Sequence, residues 1–470
     1  MTQEWSTSAG VDLYVDLLPG EGRREGLERA LRDAIRGGRL AAGERLPATR
    51  VLAAELGLSR GTVSGAYDQL VAEGYLLARH GSGTTVAHVP RAATHHVRRP
   101  AARPRHDLRP GTGDMNAFPV QEWLRSVRRA LTSAPAAAFG YADDLRGRPE
   151  LRAALADYLG RARGVAATPE RIVITSGYTQ SLVLLARVLG SGSGRFAMED
   201  PGLPYHRELV RHAGAEPWPL PVDKLGADPR ALPDDVSAVV TTPAHQYPTG
   251  VTLHPSRRRA LIEWARSADA VVIEDDYDGE FRYDRQPVGA LQAMAPDHVV
   301  YAGTAAKALA PALRLGWMVL PPRLVDPVLA ELRLSTLETE SLGQLALADL
   351  IATHGYDRQI RAVRARHRRR RDLLVGAIAA FPALSSAGIS AGQHILVTLP
   401  ADGPEESEVI DAAAQRGLAL SGLAEHWHAS HASHASPRAK GLVVGYGAPT
   451  ETGYQRALDV LIDVLRQLYG

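Results

Sequence analysis

The chain contains no cysteine. That excludes disulfides, thiolate metal centres and cysteine nucleophiles. Lysine is nearly as scarce: Lys224, Lys307 and Lys440 are the ones present, so chemistry that needs a lysine amine has few places to go. No apolar run approaches the roughly 20 residues of a membrane-spanning helix. Residues 1–10 lack the basic-then-apolar order of a signal peptide. A cytoplasmic protein without membrane contact is expected. The formal net charge is only +2, so any nucleic-acid signal has to be local. What is present is length and an ordinary globular composition. At 470 residues, with 45% hydrophobic and 23% charged residues, the chain is too long for one ordinary domain and predicts two or three.

The first organised stretch is helical. Leu27, Ala30, Leu31, Ala34 and Ile35 form one apolar stripe. A second helix is predicted over Thr49–Leu56, stopped by Gly57. Ser59 is placed to cap a third, Arg60–Gly74, with Val63, Ala66, Tyr67 and Leu70 on one face. Two β-like runs, Tyr75–Ala78 and Thr84–Ala87, flank Arg79-His80-Gly81-Ser82-Gly83. Three helices and a hairpin make an α+β winged helix-turn-helix.

The runs Gly43-Glu-Arg-Leu-Pro47, Leu52-Ala-Ala-Glu-Leu-Gly57, Ser59-Arg-Gly-Thr-Val63, Leu70-Val-Ala-Glu-Gly-Tyr75 and Gly81-Ser-Gly83 resemble the GntR family of bacterial regulators. We place this DNA-binding domain at residues 11–87. The resemblance implies that Arg50, Ser59, Arg60, Gly61, Thr62 and Ser64 face double-stranded DNA, and that His80 and Gly81 enter the minor groove from the wing. The physics agrees: a helix N-terminus with hydroxyls offers donors to phosphate, and Arg60 can reach guanine edges. Ser64 stands where some members carry an arginine.

Residues 88–109 are rich in Pro, Arg and His, without periodicity, and read as an extended linker. An α/β domain is expected over 110–470, with 325–470 as a smaller α+β subdomain. In Val299–Trp317 a buried strand breaks at Gly303, Lys307 follows on the turn, and Arg314 precedes a second apolar run. A lysine held between buried strands is partly desolvated, which lowers its pKa and suits Schiff-base formation. Thr304 and Arg314 can donate to a phosphate. Lysine, hydroxyl and arginine at this spacing resemble the pyridoxal 5'-phosphate (PLP) site of class I aminotransferases, a fold type I architecture.

Further stretches fit that resemblance. Ile172–Gln180 runs from a strand into a helix, so Gly177, Tyr178 and Thr179 are expected to form the phosphate cup. Val271–Tyr283 is a strand ending in acids, where ligands bind in open α/β sheets. By resemblance Asp275 pairs with the protonated pyridine nitrogen and Tyr277 bonds the phenolic oxygen. Leu203 stands where the family has a stacking aromatic; Tyr205 replaces it, or the ring packs on an aliphatic surface. Tyr247 stands where an asparagine would bond the phenolic oxygen. The form His245-Gln-Tyr-Pro-Thr-Gly250 is the one seen in MocR-type regulators.

Two basic features remain. Arg361–Arg371, on a helix predicted over Tyr356–Phe381, reads as a solvated face or subunit contact. His426, His428, His431 and His434 have spacings that could ligate a metal, but read as a flexible polar insertion with no metal.

A GntR-type winged helix linked to an aminotransferase-like domain resembles the MocR (GabR-like) family of PLP-dependent regulators. The resemblance implies a homodimeric DNA-binding regulator with PLP as an internal aldimine on Lys307. A working aminotransferase, a regulator with a degenerate cofactor site and a regulator that senses an amino acid or amine are the alternatives. Relatives that bind an amino acid place an arginine in a strand of the form Leu-Arg-Leu-Gly-aromatic. Here Leu442-Val443-Val444-Gly445-Tyr446 puts Val443 at that place, with Arg438, Arg282 or a histidine of residues 426–434 as substitutes. PLP itself is therefore the expected effector, as in a PdxR-like regulator of vitamin B6 metabolism, and efficient transamination is not expected.

Overall fold

The computed structural model describes residues 22–79, 83–88, 104–141, 144–190, 194–283, 288–335, 339–429 and 438–470. Contacts divide the chain into two compact units, Met1–Ala102 and Arg103–Gly470. His80, Gly81, His431, His434, residues 11–21 and most of the linker lie outside the described residues.

The first unit contains α1 (Arg23–Arg36), α2 (Thr49–Glu55), α3 (Arg60–Ala72) and the hairpin β1 (Leu76–Arg79) and β2 (Gly83–Val86). Its core is the set that the periodicity selects, with Leu27, Leu31, Leu52, Val63, Ala66 and Leu70 at 5% exposure or less. Ser59 caps α3 by accepting from the Thr62 amide at 3.1 Å. The Tyr67 hydroxyl crosses the core to the Pro47 carbonyl at 3.0 Å. The helices end one or two residues before the predicted stops, because Leu56 and Glu73 already cap them.

The second unit begins with β3 (His106–Asp107), followed by α4 (Val120–Ser133) and α5 (Pro149–Arg163). Then come β4 (Ile172–Thr175), α6 (Tyr178–Leu189), β5 (Arg195–Asp200), α7 (Pro204–His212), β6 (Glu216–Asp223), β7 (Gly226–Ala227) and β8 (Val236–Thr241). After α8 (Pro255–Ser267) follow β9 (Val271–Asp275), β10 (Val299–Thr304), β11 (Gly316–Val319), α9 (Pro322–Ser335) and α10 (Ser341–Ala352). Strands β4 to β11 form one sheet in the order β4-β11-β10-β9-β8-β5-β6-β7. Its centre, β10-β9-β8-β5-β6, is parallel; β11 is antiparallel to both neighbours. Alternation along the strands feeds two cores. Val173, Val300 and Met318 pack with Leu185 of α6 and Val328 of α9, whereas Ile174, Tyr301 and Trp317 pack with Leu155 of α5 and Leu347 of α10.

The rest of the chain is α11 (Gly355–Ile378), β12 (Ser385–Ala387), β13 (His394–Thr398), α12 (Glu406–Gln415), β14 (Leu418–Ala419), β15 (Ser421–Gly422), β16 (Gly441–Gly445) and α13 (Glu451–Tyr469). A four-stranded sheet, β12-β13-β16-β15, packs against α12 and α13. Two expected boundaries move. The small subdomain does not begin at 325, because α10 supplies Leu347 and Ile351 to the core of the large sheet. The linker does not run to Arg109 either: β3 pairs in parallel with β14, and Leu108 is buried among Ile395, Leu418 and Tyr446. One leucine among prolines and arginines carried no periodicity, so its burial was not legible. Arg361–Arg371 is not wholly solvated: the Arg370 side chain is 2% exposed and pairs with Glu451 at 3.1 Å.

Candidate cofactor site and nucleic-acid interface

On the first unit, Arg50, Ser59, Arg60 and Gly61 are exposed, and Thr62 and Ser64 half-buried. All but Arg50, on α2, lie at or in the first turns of α3. Neither Arg50 nor Arg60 has a protein partner among the described residues. Free guanidiniums beside a helix N-terminus are what a phosphate backbone and base edges require.

In the second unit a cavity of about 290 Å³ opens where the parallel strands end. Glu199 of β5, Thr241 of β8, Asp275 of β9 and Thr304 of β10 line it. This is the carboxyl edge of the sheet, where α/β folds bind ligands. The turn from β4 into α6 brings Ser176, Gly177, Tyr178 and Thr179, the loops after β9 and β10 bring Tyr277, Lys307 and Arg314, and the small subdomain brings Gln393 and His394.

The anion end is built from backbone. Gly177 has φ 117° and leads into α6, whose first amides, at Tyr178 and Thr179, have no intrahelical acceptor. The β4–α6 turn lies so close to β11 that a side chain at Gly316 would sit 2.7 Å from the Gly177 Cα. Arg314, held in the left-handed region at φ 52°, lays its guanidinium against Gly177 and has no protein partner among the described residues. Thr304 is committed elsewhere: its hydroxyl donates to the Leu315 carbonyl at 3.2 Å and accepts from the Ala306 amide at 3.1 Å. It shapes the lysine turn instead of offering its proton to an anion.

The opposite end is acidic and buried. Burial and the neighbouring Asp276 push the Asp275 carboxyl well above its usual range, while Lys307 pulls it down. Such a carboxyl favours a cationic N–H partner. Beside it the buried Tyr178 hydroxyl approaches Asp275, and among the described residues the Gln393 Oε1 has no hydrogen-bond partner. Both line the cavity, so it carries polar atoms that a bound polar ring would satisfy. Desolvation lowers the Lys307 amine, against the pull of Asp278 and Asp275; its Nζ donates to the Gly111 carbonyl. Burial keeps the Tyr277 hydroxyl protonated, so it acts as a donor.

Tyr205 does not reach the cavity. It is 51% exposed, whereas the next residue, His206, lines the wall and faces the Tyr178 ring at 4.9 Å and 49°. Leu203, His206, Arg207 and Val210 fall at i, i+3, i+4 and i+7, and that stripe turns inward; Tyr205 lies off it. Burial, with Lys307 and Arg207 nearby, lowers the His206 pKa to about 4, so the ring is neutral. Arg207 was also missed. It lines the cavity, but its terminal nitrogens donate to the carbonyls of Gly202 (3.1 Å), His426 (3.1 Å) and Trp427 (3.4 Å).

His426 is not part of a flexible insertion: it is 2% exposed. Its Nδ1 donates to the Gly422 carbonyl at 2.9 Å, so its Nε2 accepts from the Tyr247 hydroxyl at 3.0 Å. His245, Asp278 and His394 bring three ligand-type atoms within 4.8 Å of one another. The His245 Nδ1 is hydrogen-bonded to Asp278 at 2.8 Å and the His394 Nε2 to the Pro248 carbonyl at 3.2 Å, so the cluster is held by hydrogen bonds. Val443 is buried in β16 against Leu396, Leu423 and Trp427, and neither Arg282 nor Arg438 lines the cavity.

The donor set therefore could hold a phosphorylated pyridine aldehyde: amides and Arg314 for the phosphate, Asp275 for the ring nitrogen, Tyr277 for the phenolic oxygen and Lys307 for the aldehyde.

Two family models match, aminotransferase class I and II over residues 109–421 and bacterial regulatory proteins, gntR family, over residues 23–86. The chain is 33% identical over 446 residues to the HTH-type pyridoxine biosynthesis transcriptional regulator PdxR of Corynebacterium glutamicum, covering 93% of this chain and 95% of that protein. It is 35% identical over 376 residues to the probable rhizopine catabolism regulatory protein MocR of Rhizobium meliloti, covering 74% of this chain and 76% of that one. Among solved structures, the kynurenine aminotransferase of Pyrococcus horikoshii superposes with a TM-score of 0.69 at 24% identity, over 78% of this chain and 92% of that chain, a likeness of fold. Among the described residues no helix is long and apolar enough to cross a membrane. The chain belongs to the MocR-type transcriptional regulators, in which a GntR-type helix-turn-helix domain is joined to an aminotransferase class I and II domain of fold type I.

Proposed function

We propose that the chain is a cytoplasmic, homodimeric regulator that holds PLP on Lys307, takes PLP itself as effector and controls vitamin B6 metabolism. Bound PLP supplies an electrophilic aldehyde carbon and an electron-accepting ring. The chain's part is to hold it. The amides at the start of α6 and Arg314 bind the phosphate, Asp275 keeps a proton on the ring nitrogen, Tyr277 donates to the phenolic oxygen and His206 covers a ring face. The lowered pKa of Lys307 leaves more of its amine free to react.

The observation that carries the choice of effector is the burial of Val443. An amino acid's carboxylate would find no guanidinium from β16, and Arg207 is already engaged with three carbonyls. Losing one charge-assisted bond costs about 1.5–3 kcal/mol, roughly ten- to a hundredfold in binding. The resemblance to a pyridoxine biosynthesis regulator supports the same reading. Titrating the PLP-loaded protein with a panel of amino acids and amines, while following its visible absorption, tests it. An unmoved spectrum is expected; stoichiometric conversion by any one at micromolar concentration would favour an amino-acid sensor or an aminotransferase.

A dimer would present two winged helices to two half-sites. In support, α4 and the segment after it expose Val120, Leu124, Phe139 and Tyr141, each more than half accessible. Sedimentation should show a dimer; a monomer with and without PLP would refute it.

A further inference from the structure

Two buried polar residues, His245 and Asp278, contact Tyr277 of the cavity wall. We propose that they act as a positioning pair that sets the hydrogen-bond strength of Tyr277, compensating for the amide donor missing at Tyr247. The proposal rests on the reading that PLP occupies the cavity.

The need for compensation is visible in the structure. Tyr247 lines the cavity, but its hydroxyl proton goes to His426 at 3.0 Å. Tyr277 is then the donor left for the phenolic oxygen. Behind it the His245 Nδ1 lies 2.8 Å from Asp278 Oδ2 and 3.1 Å from the Tyr277 hydroxyl oxygen. A carboxylate at 2.8 Å requires the proton on Nδ1, so that N–H is shared between Asp278 and the tyrosine oxygen. Tyr277 therefore accepts from His245, and its own proton, which the His245 carbonyl at 3.1 Å and the Asp278 carboxylate also attract, turns to a ring when one is bound. An O–H whose oxygen already accepts a hydrogen bond is a stronger donor, more so in a dry site. The pair's side chains are 2% and 1% exposed. A side chain at Gly392, with φ 77°, would collide with both, so that glycine makes room for the pair.

Other charged or titratable groups face the trio. Asp275 and Lys307 come from the strand ends, His394 from β13 with its ring 5.0 Å from that of His245, and Tyr247 with its ring 6.2 Å from that of Tyr277. His426 approaches through Tyr247. None of these bonds the Tyr277 oxygen; His245 does.

The consequence is read at the Lys307 Nζ. With the cofactor bound, the proton on that nitrogen would be shared with the phenolic oxygen. Once that proton left, the oxygen would depend on the Tyr277 hydroxyl as its donor. A weaker Tyr277 donor therefore makes the Nζ proton harder to remove.

The experiment is a spectrophotometric pH titration of the full-length PLP-loaded protein, with borohydride trapping to verify loading. His245→Ala and His245→Phe, which remove the N–H and keep the Asp278 charge, should each raise the midpoint by about half to one pH unit, the worth of roughly one hydrogen bond. In a Tyr277→Phe background neither should add a further shift, because the route through the hydroxyl is gone. His245→Phe keeps the ring's shape without its N–H and reads the effect should His245→Ala fail to fold. Unmoved midpoints in loaded variants, or full additivity with Tyr277→Phe, would overturn the proposal alone. So would failure of both variants to fold or to take up PLP, which would make the pair structural. Absence of any Lys307-linked chromophore in the wild-type protein would overturn the cofactor reading, and this proposal with it.

Discussion

Arg163 and Asp276 form an ion pair at 2.7 Å with side chains 3% and 1% exposed, directly behind the carboxylate that faces the cofactor cavity. Asp276 also accepts from the Tyr301 hydroxyl at 2.7 Å. The pair ties the loop after β9 to the end of α5, so the place of Asp275 depends on it. Removing one partner of such a pair strands a buried charge, which costs about 3–5 kcal/mol. Arg163→Met should lower the unfolding free energy of the aminotransferase-like unit by that amount in denaturant titrations. A loss below about 1 kcal/mol would show that solvent or another cation replaces the arginine.

Glu280 gives a pH-dependent prediction. Its carboxyl, which accepts from the Tyr158 hydroxyl at 2.5 Å, is pushed from 4.5 up to about 7, first by burial and then by Asp276. A raised folded-state pKa means stability that is full below pH 4.5 and is lost as pH rises through about 7. Glu280→Gln removes that dependence. The stability difference between variant and wild type should move in the variant's favour between pH 5 and 8, by up to about 3 kcal/mol. A difference independent of pH would mean that Glu280 titrates normally.

On the DNA side, Arg60→Ala should weaken specific binding to the regulator's own promoter by about 1–3 kcal/mol, or roughly five- to a hundredfold. PLP loading should be unchanged, since Arg60 belongs to the other compact unit. Gel shifts at fixed salt measure the first, and absorption the second. Unaltered DNA affinity would remove α3 from the recognition role.

Much of this was legible because the chemistry sits on short local patterns. Lys307, Asp275 and Arg314 lie at or after the ends of buried strands, and it was the resemblance to class I aminotransferases that grouped them as one site. The N-cap at Ser59 and the core stripe of α3 are likewise local. What failed was register and long-range pairing. Tyr205 is the aromatic in the right neighbourhood, but α7 turns it outward and His206 inward, one position being about 100° of helix. His426 reads as one polar residue in a histidine-rich run; its burial comes from Tyr247 and Gly422, and the partner nearly 180 residues away leaves no local trace. The merging of Leu108 into the small core is of the same kind.

The central claim is that PLP on Lys307 changes how the winged helix engages DNA. The most direct measurement is the affinity of the purified protein for its own promoter at constant salt, across a PLP titration, for wild type and Lys307→Ala. The wild type should trap PLP with borohydride and change its affinity as PLP saturates, while Lys307→Ala does neither. Since Lys224 and Lys440 are the other lysines in the chain, trapping has few alternative sites. A wild-type affinity indifferent to PLP, or a Lys307→Ala protein that responds just as the wild type does, would contradict the account.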